Sequence, residues 1–336
     1  MVRIALDVMG GDRGSELAIS GAISAIREHS DFEVILLGPR ELLEKQVAVS
    51  GVAGSLAARL HIEHAPEAIS MNESPVEAVR RKKQSSIMVG FDLARNGRVD
   101  AVVSAGNSGA TLASAVRKLG RLKGVSRPGI ASLFPTLKRP VIIMDVGANV
   151  DCRPLHLFQF AIMASSCSRK LLDIKHPRIG LLSIGEEAGK GNTLVKETHE
   201  LLTASSLNFI GNVEGRDIYQ GDVDVIVCDG FVGNISLKVS EGLAEAAMLM
   251  LRTEIMKTIR AKIGYVLIRR AFERFRKRVD YAEYGGAPLL GINGTGIISH
   301  GKSNATAIKN AIEVAATMYR SRLNESILIS LEEYSS

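Results

Sequence analysis

Arg3-Ile4-Ala5-Leu6-Asp7-Val8, followed by Met9-Gly10-Gly11-Asp12, is the stretch from which the fold can be read. The first six residues form a short aliphatic run of the kind that makes a strand buried on both faces. Two glycines then stand at the carboxyl end of that strand, and a helix-length amphipathic stretch runs from Glu16 to Glu28. Strand, glycine loop and helix make the opening unit of an open α/β sheet.

The unit recurs along the chain. Strands are expected at Phe32 to Leu37, Arg59 to His64, Asp100 to Ser104, Val141 to Val146, Arg178 to Ile184, Leu207 to Ile210, Asp224 to Cys228 and Gly296 to Ser299. Helices are expected at Glu41 to Ser50, Ser85 to Asn96, Gly109 to Arg121, Pro154 to Leu172, Thr193 to Thr203, Ile235 to Ile263 and Asn304 to Ser321. This alternation predicts a three-layer α/β/α fold with a largely parallel sheet. No Pro-rich or low-complexity tract divides the chain, so residues 1–336 read as a single catalytic unit, with residues 246–280 as a helical excursion.

The loops at the strand ends point to a ligand. They are Met9-Gly10-Gly11-Asp12, Ala105-Gly106-Asn107-Ser108-Gly109, Gly147-Ala148-Asn149-Val150-Asp151, Gly185 to Asn192 around Lys190, Asp229-Gly230-Phe231-Val232-Gly233-Asn234, and His300-Gly301-Lys302-Ser303-Asn304. In an open α/β sheet such loops line the crevice at the carboxyl ends of the strands, so they are expected to converge. Glycine lets backbone N–H groups approach a ligand, and a helix starting just beyond adds the positive end of its dipole. Phosphate is the natural guest. Asn107, Asn149, Asn192 and Asn234 can donate amides to it, although each Gly-Asn pair taken singly also reads as a plain turn. Lys190 can reach an oxyanion or stand as a surface lysine. Arg80 and Lys83, in the run Arg80-Arg81-Lys82-Lys83, suggest an anion because cations before a helix oppose its dipole. His300 fits a donor, a base or a structurally satisfied ring. No P-loop, G-x-G-x-x-G, G-x-S-x-G or H-E-x-x-H pattern occurs, and no carboxylates show metal-ligand spacing on one helix face. No cofactor or metal is expected, and transfer should be direct.

Composition adds location. Cys152, Cys167 and Cys228 have no paired spacing and no secretory signal precedes them, so a reducing cytoplasm is expected. The net charge of +6 is local. Arg252 to Arg278 holds ten basic and two acidic residues, and the rest of the chain sums to −2. Within that segment Met248, Leu251, Ile255, Ile259, Ile263 and Val266 recur at three- and four-residue steps, making one apolar stripe beside cations such as Arg269 and Arg270. Such a helix suits an anionic membrane surface, an acidic carrier protein or a dimer interface.

Ile4-Ala5-Leu6-Asp7 with Met9-Gly10-Gly11-Asp12, Pro75 to Lys83, Asp145 to Cys152, Phe209 to Asp217, Cys228-Asp229-Gly230-Phe231 and Tyr284 to Gly291 closely resemble the bacterial phosphate acyltransferase of phospholipid synthesis. The resemblance runs in order over nearly the whole chain. It departs at Arg13-Gly14-Ser15, at Ser108 and at Lys302, where the family more usually has Asn-Ala-Pro, Thr and Ser. It implies an isocitrate/isopropylmalate dehydrogenase-like fold and transfer of a long-chain acyl group from acyl carrier protein to inorganic phosphate. Gly10, Gly11, Asp12, Gly106, Asn107, Ser108, Asn149, Asn192, Gly233 and His300, with Arg80 and Lys83, would then bind phosphate, and Lys190 and Asn234 would be catalytic. It also implies a homodimer and peripheral membrane association, with Leu251, Ile255, Ile259, Ile263, Arg269 and Arg270 expected to dock either the membrane or the acyl carrier protein. Acyl phosphate would pass to a membrane glycerol-3-phosphate acyltransferase. Two rival readings are a metal- and NAD-dependent hydroxy-acid dehydrogenase and a basic adaptor. Few aromatics are present for base stacking, and nucleic acid is not expected as a partner.

Overall fold

The computed structural model describes residues 1–12, 14–279 and 284–335. Arg13 of the opening loop and Asp280, at the end of the expected helical excursion, lie outside the described residues.

The strands are β1 (Val2–Asp7), β2 (Phe32–Gly38), β3 (Leu60–His64), β4 (Ala101–Ser104), β5 (Gly129–Phe134), β6 (Val141–Met144), β7 (Ile179–Leu182), β8 (Phe209–Val213), β9 (Val225–Val227), β10 (Ala287–Leu290) and β11 (Gly296–Ile298). The helices are α1 (Ser15–Glu28), α2 (Arg40–Val49), α3 (Gly54–Ala57), α4 (Pro75–Arg81), α5 (Ser86–Arg95), α6 (Ser108–Leu119), α7 (Pro154–Leu171), α8 (Thr193–Ala204), α9 (Gly230–Lys257), α10 (Ile259–Val279), α11 (Ala305–Arg320) and α12 (Leu323–Ser335). Every expected strand forms within a few residues of its expected bounds.

All the strands join one sheet in the order β3-β2-β1-β4-β11-β10-β5-β6-β9-β7-β8. Alternation along each strand sorts the aliphatics into two layers. Ile4 and Leu6 of β1, with Ala101 and Val103 of β4, lie in the layer covered by α11, while Ala5 and Val102 lie in the layer covered by α5. Each such fully buried Leu or Ile contributes about 1.5–3 kcal/mol, so the aliphatic core suffices without Trp.

β5 and β10 were not expected from the sequence. They carry the antiparallel pairings: β11 with β10, β10 with β5, and β5 with β6. Three reversals separate two parallel groups, β3-β2-β1-β4-β11 and β6-β9-β7-β8, so the two groups run in opposite directions along one sheet. Loops from both groups meet over the central strands.

The excursion is also not one helix. Thr258 is extended, at φ −129° and ψ 149°, and separates α9 from α10. The apolar stripe from Met248 to Val266 is therefore cut in two. α10 packs chiefly against α9, and its last turn is tied down where Arg278 Nη2 donates to Thr136 O at 2.9 Å. Leu249, Met250, Ile259, Ile263 and Leu267 remain exposed. Among the described residues no helix is long and apolar enough to cross a membrane.

Candidate active site

At the carboxyl ends of β1, β4 and β11 three loops are fastened together. The Asp7 carboxylate accepts from Ser104 Oγ at 2.7 Å and from Met9 N–H at 3.1 Å. Burial pushes the Asp7 carboxyl above the usual range, with the Ser86 and Ser104 hydroxyls pulling the other way. Gly106 N–H donates to Ser104 Oγ at 3.1 Å. A β-carbon on Gly10 would stand 2.7 Å from Asp7 Oδ2 and from the Gly106 backbone, so only glycine lets these loops touch. Asp12 N–H donates to Gly301 O at 2.8 Å, bringing in the third loop. α6 and α11 begin here, capped by Asn107 and Asn304, so two positive helix ends meet at this edge.

At the other group the organiser is Asp145. Its Oδ1 accepts from Ile130 N–H at 3.1 Å and Ala148 N–H at 3.1 Å, and its Oδ2 accepts from Asn149 N–H at 2.7 Å and Asn149 Nδ2 at 2.9 Å. Burial raises the Asp145 carboxyl, and hydrogen bonds from Ala148 and Asn149 oppose the rise. Asp229 caps α9 by accepting from Phe231 and Val232 N–H at 2.9 Å. Gly230 N–H donates to Asn149 O at 2.7 Å, and Gly233 lies directly against the Asp145 backbone carbonyl. These contacts fix the first turn of α9, and with it Asn234. Burial and the charges of Asp145 and Asp229 push the Cys152 thiol up to about 12, which disfavours a thiolate there.

Between the two groups lies a cavity of about 1580 Å³. Its polar end is lined by Asp12, Gly106 and Ser108, by His300, Gly301 and Lys302, and by Asn234 and Lys238. Its other arm is largely apolar, lined by Leu133 and Phe134 of β5, Leu243 and Met248 of α9 and Phe272 of α10, with Arg252 and Arg278 also in the lining. Burial holds the His300 imidazole below its ordinary pKa; Glu241 pulls it back up, and Lys238 and Lys302 push it further down.

The expected site residues divide accordingly. Asp12, Gly106, Ser108, Asn234 and His300 line the cleft. Gly10 and Gly233 shape it from behind, by close backbone approach, whereas a β-carbon on Gly11 would meet only ordinary contacts at 3.6 Å. Asn107 gives its Oδ1 to Ala110 N–H at 3.0 Å, and its Nδ2 donates to Glu73 O at 3.1 Å. Asn149 is buried, its Nδ2 shared between Asp145 and Pro128 O at 2.9 Å. Asn192 accepts from Val195 N–H at 3.0 Å as the cap of α8. Lys190, Arg80 and Lys83 are exposed and do not line the cleft. Among the membrane candidates Ile255 turns inward to line the cleft, whereas Leu251, Ile259, Ile263, Arg269 and Arg270 face outward. Lys238 and Glu241 are lining residues that the sequence pattern did not single out. Their signal was present, since Asn234, Lys238 and Glu241 recur at i, i+4 and i+7 on one helical face.

Known proteins agree with this chain over nearly its full length. Residues 2–326 match the family described as fatty acid synthesis protein. The phosphate acyltransferase of Geotalea daltonii is 50% identical over 332 residues, covering 99% of this chain and 95% of that one. The phosphate acyltransferase of Geobacter sulfurreducens is 51% identical over 331 residues, covering 98% and 94%. Among solved structures, a phosphotransacetylase from Streptococcus pyogenes superposes with TM-score 0.64 at 19% identity, covering 95% and 94% of the two chains. A 4-hydroxythreonine-4-phosphate dehydrogenase from Klebsiella pneumoniae gives 0.53 at 14%, covering 95% and 98%. The structural likenesses establish a shared three-layer frame. From the family match and the close relatives, the chain belongs to the fatty acid synthesis protein family of phosphate acyltransferases and is an acyltransferase.

Proposed function

We propose that this enzyme moves a long-chain fatty acyl group from acyl carrier protein to inorganic phosphate, releasing acyl phosphate for phospholipid synthesis. The observation that carries the reading is a single cleft with two chemistries. A polar end built from helix starts and glycine loops continues into an apolar arm between β5 and the α9–α10 pair. The first suits an oxyanion and the second an acyl chain.

In this mechanism phosphate is the nucleophile and, already an anion at neutral pH, needs positioning more than a general base. Gly106, Ser108 and the first turns of α6 and α11 hold it, with Asp12 and His300 shaping the pocket. A phosphate oxygen attacks the thioester carbonyl carbon and a C–O bond forms. The Asn234 amide donates to the resulting oxyanion. The C–S bond then breaks, and the departing thiolate takes the proton left on phosphate. Lys190 acts from the rim, its charge drawing the anion in, and Arg80 and Lys83 add to that field.

The α9–α10 pair extends the proposal. Its outward Ile259 and Ile263, beside Arg269 and Arg270, suit an anionic membrane surface, with a second copy of the chain on the remaining apolar face. Acyl phosphate would pass there to a membrane glycerol-3-phosphate acyltransferase, from an enzyme that works in the cytoplasm. The frame would be the one used by isocitrate and isopropylmalate dehydrogenases, here without NAD or metal. Incubation with acyl carrier protein bearing a long-chain acyl group tests the core reading. Free carrier should accumulate only when phosphate is present, without NAD or divalent metal, and accumulation independent of phosphate would overturn it.

A further inference from the structure

We propose that Lys238 is the side chain that grips the reacting phosphate, a role that rests on the proposed acyl transfer to phosphate and makes it more specific. Of the cations expected at this site, Lys190, Arg80 and Lys83 stand outside the cleft, whereas Lys238 lines its polar end one helical turn beyond Asn234. Its ammonium is held in place. Lys238 Nζ donates to Glu241 Oε2 at 2.9 Å, and the Glu241 side chain is only 15% exposed.

The same ammonium stands 3.3 Å from His300 Nε2, with Glu241 Oε2 3.7 Å from that nitrogen. His300 Nδ1 accepts from Lys302 N–H at 3.1 Å. A neutral imidazole has one acceptor nitrogen, so the proton belongs on Nε2, and an imidazole N–H and an ammonium converge on one corner of the cleft. A phosphate oxygen placed there accepts from both. That oxygen would join α9 to the β11–α11 loop, at the polar end that the starts of α6 and α11 also reach. The Glu241 carboxylate orients the ammonium toward that corner.

The test is equilibrium dialysis of labelled inorganic phosphate against the full-length protein, paired with steady-state acyl transfer at varied phosphate. Lys238→Gln should raise both Kd and KM for phosphate by about tenfold or more, the loss expected of one charge-assisted hydrogen bond. Lys238→Arg should recover part of it, and all three proteins should melt alike. Should Lys238→Gln bind phosphate within about twofold of the wild type, the assignment of Lys238 falls while the proposed function stands. A wild type that binds no phosphate overturns both.

Discussion

Asn149 gives both its backbone N–H, at 2.7 Å, and its side-chain amide, at 2.9 Å, to the same oxygen, Asp145 Oδ2. The pair closes the β6 loop on itself and leaves Asn149 no amide for a ligand. Asn149→Ala should therefore cost about 1–3 kcal/mol of stability, the penalty for stranding a buried acceptor. Denaturant unfolding would show it, and KM for phosphate should change little in the protein that remains folded. A raised KM with unchanged stability would return Asn149 to the binding site.

Asn234 is the opposite case. It lines the cleft, beside Gly147, whose φ of +133° favours glycine and where a β-carbon would make only ordinary contact, 3.5 Å from Asn234 Oδ1. Asn234→Ala should lower kcat by about 10²–10³, as for loss of one oxyanion donor, with the melting temperature preserved. Lys190→Ala, at an exposed position outside the cleft lining, should act mainly through KM and by roughly tenfold or less. Near wild-type rates in both variants would relocate the chemistry.

Covalent catalysis by cysteine is disfavoured by environment. Burial holds Cys167 at about 12 and Cys152 at about 12, the latter also under the charges of Asp145 and Asp229. Cys228 is pushed well above its ordinary value by burial. N-ethylmaleimide near neutral pH should leave acyl transfer intact. Inactivation that acyl substrate prevents would contradict this.

His300 carries a pH signature. Its folded value lies below the ordinary 6.5 because of burial, so below that pH the unfolded chain binds a proton the native state resists. The stabilising contribution is present above pH 6.5 and is lost as pH falls through the folded value. Melting midpoints followed from neutral pH downward should drop faster for the wild type than for His300→Gln. Parallel curves would show that His300 is not held neutral.

For the membrane, Arg269 and Arg270 lie on the exposed side of α10, Arg269 paired with Glu273 at 2.8 Å. Charge reversal at both positions should sharply reduce flotation with anionic liposomes, since each basic residue near such a surface is worth about 1 kcal/mol. Equal flotation would direct attention to a protein partner instead.

The parallel strands were legible because aliphatic runs such as Val141 to Met144 have no competing interpretation. β5 and β10 were not, for local reasons: Pro288 lies within β10 and the Gly285-Gly286 pair precedes it, and proline argues against a strand that needs its N–H groups. The break at Thr258 was invisible because apolar periodicity runs straight through it. Five of the six glycine- and asparagine-rich loops contribute residues to the cleft and the Gly185 to Asn192 loop does not, and the asparagines were not separable by sequence. Asn107 and Asn192 serve as helix caps, Asn304 caps α11 and also lines the cleft, and Asn234 lines it from the first turns of α9.

Leu290 lies opposite Gly129, and Leu289 opposite Ile130, in the pairing of β10 with β5. The chain thus leaves its first half and returns to it through neighbouring strands, and β11 completes that half beside β4. Everything between is topologically a guest inserted into a host whose two ends are stitched together at the point of entry. A C-terminal truncation before β10 would therefore unmake the N-terminal half as well.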